Sequence, residues 1–234
     1  SSGEQNQEIW EHAPDGTKTG SRLDIPPVFQ NGTGNYGFEA LADSQATGLF
    51  WTTTESTLGI EGAQASPSDP VSNLLRLQSF DGAKLNPAKQ YAYKMDKPEG
   101  EAEGQIYAMG VPAICALPDG RLLVMEREFF VSPGILDTWV KNKLFITDPG
   151  GSRDVTAVAD LRTLDDGTFL DKTLVWEHKT ELLSATGNEL ANFEGMCLGP
   201  ELADGSHTLI LVNDAQSGVI PLMKEYFMVL KITY

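Results

Sequence analysis

The stretch "NFEGMCLGPELADGSHTLILVND", residues 192–214, carries the pattern on which the fold is read. An acid, Glu194, precedes a short apolar run; an Ala-Asp-Gly-Ser turn follows, then a second apolar run that stops on Asn213 and Asp214. Asp-Gly between two apolar runs signals a tight hairpin, because glycine takes the positive φ such turns require. The same plan occurs twice upstream, in "YGFEALADSQATGLFWTTTES", residues 36–56, and "VPAICALPDGRLLVMERE", residues 111–128. In each, the second strand ends on an acid: Glu55, Glu126 and Asp214.

The second strands "LLVMER" and "LILVND" are apolar without alternation, which predicts inner strands covered on both faces. Between the hairpins lie "NLLRLQSF" with "KQYAYKM", "KNKLFITD" with "DVTAVADL", then "KTLVWEH" and a closing "YFMVLKITY". Apolar and polar residues alternate in several of these, as at Leu75 and Leu77 or Tyr91 and Tyr93, predicting outer strands with one wet face. "EIWEHAPDGTKTG" adds one N-terminal hairpin. Helical periodicity is nearly absent; Ile135-Leu136 with Trp139-Val140, just after Pro133-Gly134, predicts only a short loop helix. An inner hairpin plus an outer pair, repeated at about 40–50 residues, predicts an all-β, β-propeller fold of four-stranded blades, with residues 1–234 as a single propeller domain.

Composition excludes several functions. The 234 residues hold 17 Lys+Arg against 33 Asp+Glu, a formal net charge of −16, which repels phosphate backbones and anionic membranes. A nucleic-acid partner is not expected, and no apolar run is long enough to predict a membrane span. The two cysteines, Cys115 and Cys197, have neither the number nor the spacing of a disulfide framework or zinc site and are read as small buried side chains. There is no G-x-S-x-G elbow, H-E-x-x-H motif or phosphate-binding glycine loop, so serine-hydrolase, zincin and nucleotide-binding chemistry have no sequence support. The tryptophans Trp51, Trp139 and Trp176 are read as packing residues before sugar platforms.

Acids at one place in successive blades would converge on the channel. Glu39, Glu55, Glu126, Glu194 and Asp214 are the candidate metal ligands, since clustered carboxylates need a cation and hard oxygen donors suit Ca2+ first and Mg2+ second. The competing reading makes each acid a turn cap that accepts backbone N–H bonds. Arg127 either clamps an anionic substrate or pairs with an acid of a neighbouring blade. Asn192 is read as a turn residue.

The ordered set "GFEALA … TTTE", "ALPDGRLLVMER" and "NFEGMCLGPELADGSHTLILVND" resembles the phytase-like family, also called esterase-like activity of phytase, from about Gly37 to the C-terminus. The resemblance implies a bacterial, exported propeller, periplasmic or secreted, that binds calcium. Members carry a further "SGL" strand and an aspartate-bearing partner before the "GFE" motif, which residues 1–35 do not supply. The expectation is therefore six blades in the complete protein, with N-terminal blades or a complementing N-terminal segment outside this chain. The implied function is a metal-dependent ester hydrolase acting on a phosphoric or carboxylic ester, with Glu126, Arg127 and Glu194 as catalytic candidates. A lactonase-type calcium propeller and a non-catalytic propeller that binds a ligand or partner are the alternatives.

Overall fold

Asp-Gly turns set the local geometry of the chain. In "APDGT", "LPDGR" and "LADGS" the glycines Gly16, Gly120 and Gly205 have φ of 85°, 91° and 81°. Each of these glycines donates its N–H to the residue three before, as in Gly120 to Leu117 O at 3.0 Å. The aspartates Asp15, Asp119 and Asp204 accept from the backbone N–H two residues on. A side-chain acceptor and a positive-φ glycine together fix the turn, and the strands on either side fall into register.

In a computed structural model, residues 2–3, 7–32, 36–100, 106–134, 136–182, 190–215 and 223–234 are described. They form strands β1 (Ser2–Gly3), β2 (Glu8–His12), β3 (Lys18–Arg22), β4 (Phe38–Ser44), β5 (Leu49–Thr54), β6 (Leu74–Asp81) and β7 (Pro87–Lys94). The series continues with β8 (Ile106–Ala116), β9 (Leu122–Val131), β10 (Trp139–Thr147), β11 (Lys172–Glu181), β12 (Phe193–Glu201), β13 (His207–Asn213) and β14 (Phe227–Ile232), joined by loops and short 3-10 turns. Consecutive strands pair antiparallel in four sheets: β1–β3, β4–β7, β8–β11 and β12–β14. The first strands neighbour one another in succession, β1 on β4, β4 on β8 and β8 on β12.

Each pair of neighbouring sheets encloses one apolar cluster. Trp51, Leu75, Leu77 and Tyr93 of the second sheet meet Met109, Val111, Leu122 and Val124 of the third. On the other face of the third sheet, Leu123, Met125 and Leu144 meet Phe193, Leu209 and Leu211 of the fourth. Successive β9 side chains thus enter different cores, which is why β9 opens on the unbroken apolar run Leu122–Met125 and is buried along its whole length, its three central charges included. Ile9 and Leu23 cover Phe38 and Phe80 on the far side of the second sheet.

Several expectations are corrected. The run "DVTAVADL" is not a strand: Val155 N donates to Gln90 O, and Leu170 N to Ala92 O, so the connection between β10 and β11 lies along the edge of β7. An edge strand's free carbonyls are satisfied this way, and "KTLVWEH" is the strand that pairs with β10. That cover also buries β6 on both faces, where one wet face was predicted. Trp139 and Val140 open β10 instead of a helix, and Ile135 lies outside the described residues. Cys115 is buried, but Cys197 is exposed. Trp51 packs in the core against Tyr91, while Trp139 stacks on Phe130 and Trp176 on His178. Among the described residues no helix is long and apolar enough to cross a membrane.

Candidate functional site

The three inner hairpins share a finer alignment than their terminal acids suggest. Glu55 N bonds Gly37 O and Asp214 N bonds Asn192 O, while Arg127 is paired with Gly110 in the β8–β9 ladder. Gly37, Gly110 and Asn192 therefore stand at matching positions, and Glu55, Arg127 and Asp214 stand opposite them. "GFEA", "GVPA" and "NFEG" superpose, with Glu39 and Glu194 in the third position. The ladder is irregular there in all three strands, between Phe38 and Ala40, between Gly110 and Ala113, and between Phe193 and Gly195. Glu39 and Glu194 are thus bulge residues, and a bulge turns its side chain out of the regular alternation.

These acids surround Arg127. Its Nη2 donates to Glu55 Oε1 at 2.7 Å, and its Nη1 donates to Asn192 Oδ1 at 3.0 Å and also to Glu194 Oε1. Asn192 Nδ2 donates in turn to Glu194 Oε1 at 2.9 Å and to Asp214 O at 3.2 Å. Asn142 of β10, fully buried, holds Ala191 O at 2.6 Å and so fixes the backbone beside Asn192. The guanidinium thus joins three sheets: Glu55 comes from the second, Arg127 from the third, Asn192 and Glu194 from the fourth. The Arg127 side chain is 5% exposed and that of Glu194 22%. Burial alone would pull the Arg127 pKa down, but Glu194, Glu55 and Glu39 outweigh it and raise it above the ordinary arginine value. Tyr36 stands beside the same groups; its burial, with the charge on Glu55, raises its phenol.

Glu126 is elsewhere. One residue before Arg127 on a strand, it points to the opposite face. There it accepts from Tyr93 Oη at 2.7 Å, Asp96 N at 2.9 Å and Lys172 Nζ at 2.5 Å. Burial raises its carboxyl, opposed by Lys172, Tyr93 and the Asp96 amide. Lys172 and Lys143 share Asp96, and Lys143 and Lys141 share Glu99. Glu128, also on this face, receives Gly100 N at 2.8 Å and Tyr107 Oη at 2.8 Å. Glu126 and Glu128 hold the segment after β7 against the third sheet, which is a structural task.

Of the residues expected to converge, Glu39, Glu55 and Glu194 meet at Arg127, and the backbone of Asp214 joins them through Asn192. Tyr36, Gly110, Asn142 and the bridging role of Asn192 escape a reading that aligns the hairpins on their last acid; alignment on "GFEA", "GVPA" and "NFEG" finds the register. The residues present do not fit a calcium ion: a guanidinium occupies the centre of the carboxylates, and among the described residues no group of three or more His, Cys, Asp or Glu is placed to hold a metal.

Four antiparallel sheets whose first strands neighbour one another in succession, and a guanidinium–carboxylate centre where three of them meet, define the protein as all-β. The chain belongs to the phytase-like family described as esterase-like activity of phytase, whose profile matches residues 1–215. The match therefore includes the N-terminal hairpin as well as the three inner ones. No curated protein matches. No solved structure matches either.

Proposed function

We propose that this protein is an ester hydrolase on a β-propeller scaffold, each sheet being a blade, and that its reacting ester is a carboxylic ester bound at the Arg127 centre. The observation that supports it most is the convergence of Glu55, Arg127, Asn192 and Glu194 from three sheets, since rigid elements place functional groups better than loops do. Arg127 Nε, buried, has no acceptor among the described residues. It is the donor offered to a carbonyl oxygen as negative charge develops there. Glu194, the more exposed carboxylate on Arg127, takes a proton from water as the water oxygen bonds to the carbonyl carbon. The carbon–alkoxy bond then breaks and the proton passes to the leaving alcohol.

Carboxylic esters are preferred over phosphoric ones because the lysines lie elsewhere. Lys141, Lys143 and Lys172 form their ion pairs on the opposite face of β9, and phosphate binding draws on several basic donors. No calcium-dependent step is part of the reading. Export to the periplasm or beyond the cell belongs to the proposal through the family resemblance, and fractionation of the producing cells checks it.

The test is turnover of p-nitrophenyl acetate and p-nitrophenyl phosphate by the parent, Arg127→Lys and Glu194→Gln, each with and without chelator. The acetate should be hydrolysed regardless of chelator, with kcat/KM falling about 100-fold in both variants at unchanged fold, as for loss of a transition-state donor or base. Hydrolysis of neither ester would leave a non-catalytic ligand-binding propeller.

A further inference from the structure

The fourth sheet has one covered face and one bare one. Leu209 and Leu211 of β13, with Met228 and Leu230 of β14, pack against the third sheet. The residues between them point the other way. Cα partners in an antiparallel ladder share a face, so Gly195, Val212 and Phe227 form one row there, and Cys197, Ile210 and Val229 the next. Phe227 is 71% exposed, Val229 59% and Val212 37%, and Cys197 is exposed as well.

In the third sheet the same positions are filled against a neighbour. With Asp214 matching Arg127, Val212 corresponds to Met125 and Ile210 to Leu123; their ladder partners Phe227 and Val229 correspond to Leu144 and Ile146. Met125, Leu123 and Leu144 are at most 2% exposed, because the fourth sheet covers them. Phe227 and Val229 thus belong to a sheet-packing surface that carries no sheet among the described residues. Contiguous exposed apolar surface of this kind marks an interaction site.

The relief of the face says what fits it. β14 stands high with Phe227 and Val229, whereas β12 lies low with Gly195, Cys197 and Gly199. A Cβ built on Gly195 would lie 2.5 Å from Val212 Cγ1, and one on Gly199 would strike Thr208 Oγ1, so β13 leaves no room for larger residues there. A two-fold axis running along β13, midway between two such faces, sets β12 of each copy over β14 of the other. Phe227 then meets the partner's Gly195, and Val229 meets the partner's Cys197. The first sheet offers no such complement: Trp10, turned away from Ile9 and its core, carries Lys18 and Arg22 over its ring.

We propose that the bare face of the fourth sheet is a self-association surface, on which a second copy of the chain packs its own fourth sheet about a two-fold axis along β13. The proposal is independent of the hydrolase reading. A two-fold contact is self-complementary and closes at two copies. Three strands facing three others over some five residues make a small interface, of the class that forms weak and reversible pairs. Each copy carries a net charge of −16, so repulsion opposes the pair and salt favours it.

The experiment is sedimentation equilibrium of the full chain at about 2–200 µM, in about 20 and 300 mM NaCl. The mass should rise from one chain toward two, with a dissociation constant on the order of 10 µM that falls at the higher salt. Phe227→Asp combined with Val229→Asp should stay a single chain throughout, with a circular dichroism spectrum matching the parent's to show that it is folded. Val229→Cys tests the arrangement. Within one chain, Cys197 and position 229 lie two strand spacings apart, about 10 Å, too far to bridge, whereas the two-fold brings each to the other copy's. Oxidation with copper phenanthroline should therefore link Val229→Cys into dimers that dithiothreitol releases, and should leave the parent unlinked. A parent that remains one chain at the highest concentration and salt, a double variant that still pairs, or growth into larger polymers overturns the proposal. So do dimers that Val229→Cys fails to link, or a parent linked through Cys197.

Discussion

Gly110 shows how narrowly the centre is built. A Cβ there would lie 2.5 Å from both the carbonyl oxygen and the Cγ of Glu55, and Val111 N bonds that same oxygen at 2.8 Å. Gly110→Ala should therefore cost about 1–3 kcal/mol in urea unfolding by overpacking, and should lower ester turnover by moving Glu55 off Arg127. An unchanged unfolding midpoint would mean that β5 and β8 are less closely apposed than the structure has them. Residue types here were legible in sequence, but their directions were not. Glu126 and Arg127 are adjacent, both charged and both buried, and only the register of β9 on β8 sends Arg127 to the carboxylates and Glu126 to Lys172.

At the scale of elements, two ion-pair systems bind connections to sheets. Arg76 of β6, 1% exposed, donates from Nε to Glu61 Oε1 at 2.7 Å and from Nη2 to Val158 O at 2.9 Å. Glu61 also receives Leu161 N at 2.5 Å, so one pair anchors the 3-10 turn after β5 and the long connection after β10. Arg76→Met leaves Glu61 buried and uncompensated and should cost about 3–5 kcal/mol, whereas Arg76→Met with Glu61→Leu should recover most of that loss. Calorimetric melting of the two variants measures both. The sequence does not reveal this pair, since it is completed by backbone groups of Val158 and Leu161, 82 and 100 residues further along the chain from Arg76 and Glu61.

The second system responds to acid. Burial raises the Asp96 carboxyl, but Lys172 and Lys143 outweigh it and hold it below its ordinary 3.8, and Glu99 is likewise lowered by Lys141 and Lys143 against its own burial. A carboxylate lowered in the folded state stabilises above its unfolded pKa and loses that contribution as pH falls through the folded value. Melting temperature should thus begin to drop as pH falls below about 4, and Asp96→Asn should flatten that limb between pH 4 and 2.5. A limb equally steep in the variant would assign the acid loss to other groups.

For the whole molecule, the excess of acids is the dominant electrostatic fact. With a net charge of −16, mutual repulsion opposes the compact state, and salt screens it. Raising NaCl from 20 to 300 mM should lift the melting temperature by about 2–4 °C, the shift expected for ~1 kcal/mol in a chain of this size. A fall in melting temperature would mean that the Lys–acid pairs weakened by salt outweigh the repulsion it relieves.

The all-β class, the three inner hairpins and the family resemblance were legible in the chain before any contact was known. Asp-Gly turns and the alternation of side chains are local rules, satisfied within some twenty residues of chain. The sequence also marked out Glu39, Glu55, Glu194 and Arg127. Tertiary packing settled that these four meet while Glu126 does not, that residues 154–161 cover an edge instead of forming a strand, and that the guanidinium of Arg127 lies among the carboxylates of Glu39, Glu55 and Glu194. The physical reason is register: a strand repeats every two residues, so a bulge or a slip of one position reverses the face on which a charge appears, and register is set by the partner strand.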